Sequence, residues 1–380
     1  MRIGIIDADL IGRKKHRFPN LASMKIAGFY KEKGDEVKLL LSYDDIDNYD
    51  EVFISKVFTD TPIDKEILSK KNVKYGGTGF FYDKAEPLPY EIEHHMPYYD
   101  LYKEWVEQKL SDGASKKSLE SYIDYSIGFT TRGCFRHCPF CVNKNYNKVV
   151  RHSKVEEFLD VNRKYICLLD DNVLGYGGWR EVFNELNNSG KRFQFKQGMD
   201  ERLLNKEKCR TLIEANYVGD YMFAFDDIEE QEIIKEKLKI WNEVKGKKTR
   251  RTKFYTLCGF DKNNKYDEEF WANDIESVFE RIKILMENNS IPYVTRYEKY
   301  KESPYKGLYI YIAGWGNQPS FVTKKSFREH CYSYQEKVKN KTCAAVRALQ
   351  EFEEKYPEIA NKYFDMKFEE LIKDKEDEDE

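Results

Sequence analysis

Short apolar runs alternating with amphipathic stretches set the plan of the chain. Ile3-Gly-Ile-Ile6, residues 36–41 and residues 51–55 read as buried strands, and residues 72–77 as a further strand closing on Gly76-Gly77. Residues 20–33 carry helical spacing and stop at Gly34-Asp35. Strand, helix, strand, strand and a glycine turn predict an open, doubly wound α/β sheet over residues 1–108. Residues 85–99 hold Pro87, Pro89 and Pro97 and read as a connection, with a polar loop or domain boundary at 109–117.

A longer alternation begins near residue 120. Strand patterns fall at 125–131, 165–169, 192–197, 221–225, 253–257 and 291–296. Helix-length amphipathic stretches lie between them at 154–163, 179–187, 206–216, 230–244 and 268–288. Six such units predict a partial parallel (β/α)6 TIM barrel over residues 120–315, left open because a closed one has eight. Residues 307–313 read as a last β-rich segment, with Trp315-Gly-Asn317 after it as a candidate closing piece. Residues 316–380 read as a helical region with an acidic, disordered tail over 374–380.

Composition changes this picture little. A formal charge of −3 gives no global pull toward nucleic acid or a membrane surface. No apolar run reaches the roughly 20 residues of a spanning helix, and Met1-Arg-Ile-Gly-Ile-Ile runs straight into a strand, with no leader pattern. A cytoplasmic protein is expected. The Lys- and Arg-dense stretch 235–253 reads first as a solvated loop before the fifth strand, with a phosphate-binding surface as the less favoured reading.

The eight cysteines change it more. Cys134, Cys138 and Cys141 lie in C-x3-C-x2-C spacing, with Phe140 before the third. Three thiols in eight residues point to metal in a reducing compartment rather than to a disulfide scaffold. Three thiolates leave a zinc ion one ligand short, to be made up by His137 or a distant cysteine. They also leave one iron of a [4Fe–4S] cube open, which chemistry at the cluster requires. Cys167, Cys209 and Cys258 read as core residues. His330, Cys331 and Cys343 match no ligand spacing, and an auxiliary cluster there is left open.

Motif, position and the following alternation together resemble the radical S-adenosylmethionine (SAM) superfamily. That resemblance implies a [4Fe–4S] cluster on Cys134, Cys138 and Cys141, SAM on its open iron, and an electron donor such as flavodoxin or ferredoxin. It implies Phe140 near adenine and Asp170 or Asp171, at the end of the second strand, near the SAM amino group. Gln197 and Arg202 follow the third strand, where Arg202 suits the SAM carboxylate; Asp226 follows the fourth, where it suits the ribose. The bland reading of each acid is a turn former or helix cap.

An open α/β domain ahead of such a barrel resembles the subgroup with a Rossmann-like, cobalamin-binding N-terminal domain. Arg17-Phe-Pro-Asn-Leu-Ala22, Gly76-Gly77 and Met96-Pro-Tyr-Tyr-Asp-Leu-Tyr102 carry this likeness. Asp7-Ala-Asp9-Leu-Ile-Gly12 stands where the subgroup has D-x-H-x-x-G, with Asp9 in place of the cobalt-ligating histidine. The expected activity is reductive SAM cleavage for radical chemistry on an unidentified substrate. A cobalamin-dependent methyltransferase is one alternative. A zinc-stabilised nucleic-acid docking module is the alternative of another class. Substrate and oligomeric state are not legible.

Overall fold

A computed structural model describes residues 1–14, 18–247, 250–339 and 341–372. His16 and Arg17, Lys248 and Thr249 of the basic stretch, and the expected acidic tail lie outside the described residues. The chain is a mixed α/β protein that divides into two compact units, Met1–Lys196 and Gln197–Glu380. The division falls after the third of the six expected barrel strands.

The first unit holds two parallel sheets. β1 (Arg2–Asp7), β2 (Glu36–Leu39), β3 (Glu51–Ser55) and β4 (Val73–Gly76) form one in the order β2-β1-β3-β4. The strand order reverses direction between β1 and β3, so the crevice of a doubly wound sheet opens at their carboxyl ends. The helix Leu21–Glu32 follows Asn20, whose side chain accepts from the Ser23 N–H and caps it. Ile6, Ala8, Val52 and Ile54 form its core with Leu40 and Ile46.

The second sheet of this unit contains β5 (Tyr125–Gly128), β8 (Tyr165–Leu168) and β9 (Arg192–Phe195), all parallel. A small antiparallel pair, β6 (Thr131–Arg132) and β7 (Val150–Arg151), brackets the intervening loop. The expected helix over 154–163 is absent; only a 3-10 turn, Val155–Glu157, forms there. Its carboxylates serve the turn instead, with Glu157 accepting from the Lys154 N–H.

The second unit carries β10 (Tyr221–Ala224), β11 (Thr252–Cys258) and β12 (Ile291–Arg296) in one parallel sheet. Its helices Lys206–Glu214, Gln231–Lys245 and Glu268–Glu287 match the amphipathic stretches to within two residues at either end. Arg281 is buried, and one of its terminal nitrogens donates to the carbonyls of Phe225, Asp226 and Leu257 at 3.1, 2.9 and 2.9 Å. It ties the ends of β10 and β11 together.

One expected strand is a helix. Residues 307–313 lie inside the helix Lys306–Gly316, which is buried at Leu308, Tyr309, Ile312, Trp315 and Gly316. The run is apolar even on its outer face, where Ile310 is exposed, so the sequence shows no telling period and strand and helix read alike. Trp315 donates to the Lys325 carbonyl at 2.8 Å, and Asn317 pairs with the Val294 backbone through both ends of its amide. Trp315 thus ties the helix to the segment that follows it, and Asn317 ties it to β12.

Among the described residues no helix is long and apolar enough to cross a membrane.

Candidate metal centre

The cysteine loop leaves the carboxyl end of β5 and returns at β7. Gly133 starts it with φ +92; a Cβ there would stand 2.5 Å from the Lys148 carbonyl oxygen, so only glycine lets the loop cross itself. His137 takes φ +50, and the Cys141 N–H reaches the Cys138 carbonyl at 2.9 Å, closing the second and third cysteines into a tight turn. Cys134, Cys138 and Cys141 are all half-buried.

Two acids at the end of β8 clamp this loop. Asp170 is buried, and its carboxylate accepts from the Thr130 N–H at 3.0 Å, the Thr131 N–H at 2.6 Å, and both threonine hydroxyls at 2.5 and 2.7 Å. Burial pushes its pKa up, and the threonine donors pull against that shift. Asp171 accepts from the Gly133 N–H and the Asn143 side-chain amide, both at 2.7 Å, with Arg132 3.7 Å away. The two carboxylates thus hold both arms of the loop. These are the strand-end residues expected at the SAM amino group; the contacts recorded for them are contacts with the loop.

Donors also point at sulfur. The Asn143 N–H lies 3.4 Å from Cys141 Sγ, and the Asn172 amide lies 3.4 Å from Cys134 Sγ. Burial raises the Cys141 thiol, while the Asn143 N–H works the other way. Neither asparagine was marked by the sequence, although Asn172 directly follows the Asp170-Asp171 pair. Tyr82 was missed too: its hydroxyl donates to the Phe140 carbonyl at 2.8 Å. Phe140 itself is half-exposed beside Cys141.

The donor set fits an iron–sulfur cluster. Three thiols on one loop, with N–H groups aimed at two of the sulfurs, is the environment that holds and tunes such a group. Among the described residues no three His, Cys, Asp or Glu side chains converge on a point for a single metal ion. A cube takes one thiolate at each of three irons and does not need that convergence.

Asp9 offers no free ligand atom to cobalt at the edge where the subgroup resemblance would place cobalamin. Asp9 is buried; its carboxylate accepts from the Val57 N–H at 2.7 Å and from the Thr61 hydroxyl. Both oxygens are engaged, and a carboxylate is a poor replacement for imidazole on cobalt. Asp7 accepts from Tyr102 and from the Leu10 N–H at 2.8 and 3.2 Å. A Cβ on Gly77 would meet the Lys56 carbonyl oxygen at 2.3 Å, and the Gly79 N–H donates to that same oxygen at 2.9 Å. The loops after β3 and β4 therefore pack directly on each other.

The remaining expected residues belong to the second unit. Gln197 is exposed. Arg202 donates to Asp200 at 2.7 Å and pairs with Glu230, and these acids hold its guanidinium firmly charged against the cost of burial. Asp226 accepts from the Leu257 N–H at 2.8 Å, and burial lifts its pKa to about 6. Between Arg202 and the strand lies Glu201, buried, with neither carboxyl oxygen hydrogen-bonded among the described residues; desolvation pushes its pKa far up.

Other candidates have plain placements. In the basic stretch, Arg251 and Lys253 pair with Asp220, and Arg250 donates to the Gly219 carbonyl. Cys331 and Cys343 are buried in the helical region, and His330 is buried between the rings of Phe321 and Tyr334. A groove of about 420 Å³ lined by Lys206, Arg210, Glu214 and Glu243 holds none of the expected site residues.

No family model matches the chain, and no curated protein matches it. Two of the solved structures similar to it are of OxsB, described as a cobalamin-dependent S-adenosylmethionine radical enzyme. The form with aqua-cobalamin bound is 10% identical, with a TM-score of 0.36, over 78% of this chain and 49% of that one. The apo, selenomethionine-labelled form is 13% identical, with a TM-score of 0.37, over the same shares of the two chains. The chain thus spans about half the length of these structures, and likeness of this degree carries nothing about activity.

Proposed function

We propose that the protein is a radical SAM enzyme whose cluster is held by Cys134, Cys138 and Cys141. The observation that carries this reading is the cysteine turn itself: C-x3-C-x2-C at the carboxyl end of β5, clamped by Asp170 and Asp171, with the Asn143 and Asn172 donors at sulfur. When bound, the [4Fe–4S] cluster supplies the electron that cleaves SAM to methionine and a 5′-deoxyadenosyl radical.

The chain's own residues do the rest. Asp170 and Asp171 fix the loop so that the three thiols keep one arrangement, a preorganisation that a mobile loop would lack. The Asn143 N–H and the Asn172 amide stabilise negative charge on Cys141 and Cys134. Phe140, held at its carbonyl by Tyr82, presents an aromatic face beside the third cysteine and is the candidate surface for adenine. The reaction outcome and any electron donor are part of the same proposal.

The test is anaerobic reconstitution with iron and sulfide, then SAM and dithionite, with products separated by chromatography. 5′-Deoxyadenosine and methionine in equal amounts are expected. A reconstituted protein that leaves SAM intact would contradict the reading.

A further inference from the structure

Several of the large apolar side chains left exposed on this protein gather at one place. Val57 and Phe58 follow β3 and are 51% and 43% exposed; Tyr75 and Phe81, at and just after β4, are 41% and 42% exposed. The Tyr75 and Phe81 rings lie 5.7 Å apart and nearly parallel, at 11°, with Phe80 tilted against both at 4.9 and 6.1 Å. The two loops that carry these rings are locked together through the Gly79 N–H on the Lys56 carbonyl. The result is a fixed aromatic ledge on which the Tyr75 and Phe81 rings stay part-exposed.

The ledge runs into the cysteine loop. Tyr82, next after Phe81, donates to the Phe140 carbonyl, and Asn145 donates to the Asp83 carbonyl. That loop is strongly basic. Residues 125–155 contain Arg132, Arg136, Lys144, Lys148, Arg151 and Lys154 and no Asp or Glu. Arg132 and Arg151 are turned to Asp171 and Glu185, whereas Lys144 and Lys148 are exposed. Cations also interleave the rings: Arg13 lies over Phe58 at 4.1 Å, Lys56 over Phe80 at 4.6 Å and Lys144 over Tyr82 at 5.7 Å. Asp60 offsets one of these by pairing with Arg13.

We propose that this ledge and the basic arm of the cysteine loop together dock single-stranded nucleic acid. Flat exposed rings stack bases of any sequence, and lysines at intervals beside them meet the phosphates. A single strand fits because a duplex hides its base faces. An apolar protein partner would have to strip water from the interleaved cations, and a lipid surface offers nothing that stacks on parallel rings. Docking stands on the ledge alone. That the docked strand is also the substrate, delivered toward the cysteine turn along Tyr82 and Phe140, rests on the function proposed above.

The test uses the reconstituted full chain and a fluorescein-labelled DNA or RNA strand of about 15 nucleotides, read by anisotropy at several salt concentrations. Micromolar or tighter binding in low salt is expected, weakening with salt. Tyr75→Ala with Phe81→Ala should weaken it about tenfold or more while leaving the salt slope in place. Lys144→Gln with Lys148→Gln should flatten the log–log salt slope by about 1.4, at roughly 0.7 per lost contact. Thermal melting checks each variant, and should the aromatic pair melt early the lysine pair decides.

No binding in low salt, wild-type binding by both double variants, or equal binding of a labelled duplex would overturn the proposal. So would an aromatic variant that changes only self-association in sedimentation, or only binding to anionic vesicles. 5′-Deoxyadenosine formation is measured on the same samples without oligonucleotide. Its loss with binding intact counts against the enzyme reading, and binding lost with SAM cleavage intact counts against the ledge.

Discussion

Two strand edges of the first unit solve the same problem and come to different uses. At the end of β1, Asp9 holds the loop after β3 through the Val57 N–H and the Thr61 hydroxyl. At the end of β8, Asp170 and Asp171 hold the loop after β5 in the same way, through backbone N–H groups and threonine hydroxyls. In both places a buried strand-end carboxylate clamps a neighbouring loop. The difference lies in what the loop presents. The first presents its own backbone against Gly77 and Gly79, which packs the loops after β3 and β4 on each other. The second presents three thiols with donors aimed at sulfur. A buried acid at a strand end is thus poor evidence for a ligand, and the loop that it holds is better evidence.

The largest effect should come from the thiols. Cys134→Ala is expected to abolish 5′-deoxyadenosine formation and to lower bound iron sharply, while circular dichroism shows the fold intact. Retained SAM cleavage would remove the cysteine turn from the site.

Asp170→Ala comes next. It strands two buried N–H groups and two hydroxyls, so a loss of about 3 kcal/mol or more in urea unfolding is expected, together with loss of the cluster. Asp170→Asn should cost less, because the amide oxygen keeps an acceptor for the Thr131 N–H and the threonine hydroxyls. A melting curve unchanged by the alanine variant would show that the clamp is not holding the loop.

Asp9→His sharpens the contrast directly. If the β1 edge were a cobalt site lacking only its ligand, restoring imidazole would confer hydroxocobalamin uptake. The clamp predicts instead no uptake in a spectroscopic titration and a destabilisation of about 2 kcal/mol, since the Val57 N–H and Thr61 hydroxyl lose their acceptor.

Glu201 supplies the smallest effect and the opposite sign. It is a buried acid that clamps nothing. Its folded pKa is raised well above the usual value by desolvation, so the folded protein holds a proton that the unfolded chain releases above about pH 4.5. Its contribution is therefore most favourable below that pH and is lost as pH rises toward the folded value. Glu201→Met should raise stability at pH 8 by about 1–2 kcal/mol and much less near pH 4.5, as read from paired urea titrations. Equal gains at both pH values would mean that the carboxyl is not the cause.

Much of this plan is legible in the sequence because the strands are short apolar runs with polar ends. All six strand patterns from residue 125 onward form strands, and the cysteine spacing marks the candidate metal loop without help from the fold. The failures have physical causes. Lys306–Gly316 is apolar on nearly every side, so its period is hidden. Residues 154–163 have helical spacing, yet their acids cap a 3-10 turn. The roles of Asp170 and Asp171 could not be read because a strand-end aspartate suits a clamp and a ligand equally. Tyr82 acts through its hydroxyl on the carbonyl of Phe140, far away in sequence, and no local pattern announces that.

The central claim is that the cysteine turn carries a cluster with one iron left for SAM. Electron paramagnetic resonance of the reduced, reconstituted protein tests it most directly. The account predicts a [4Fe–4S]+ signal from about four irons per chain, changing in shape when SAM is added, and absent from Cys134→Ala. A signal indifferent to SAM, or stoichiometric zinc and no signal at all in protein isolated without oxygen, would contradict it.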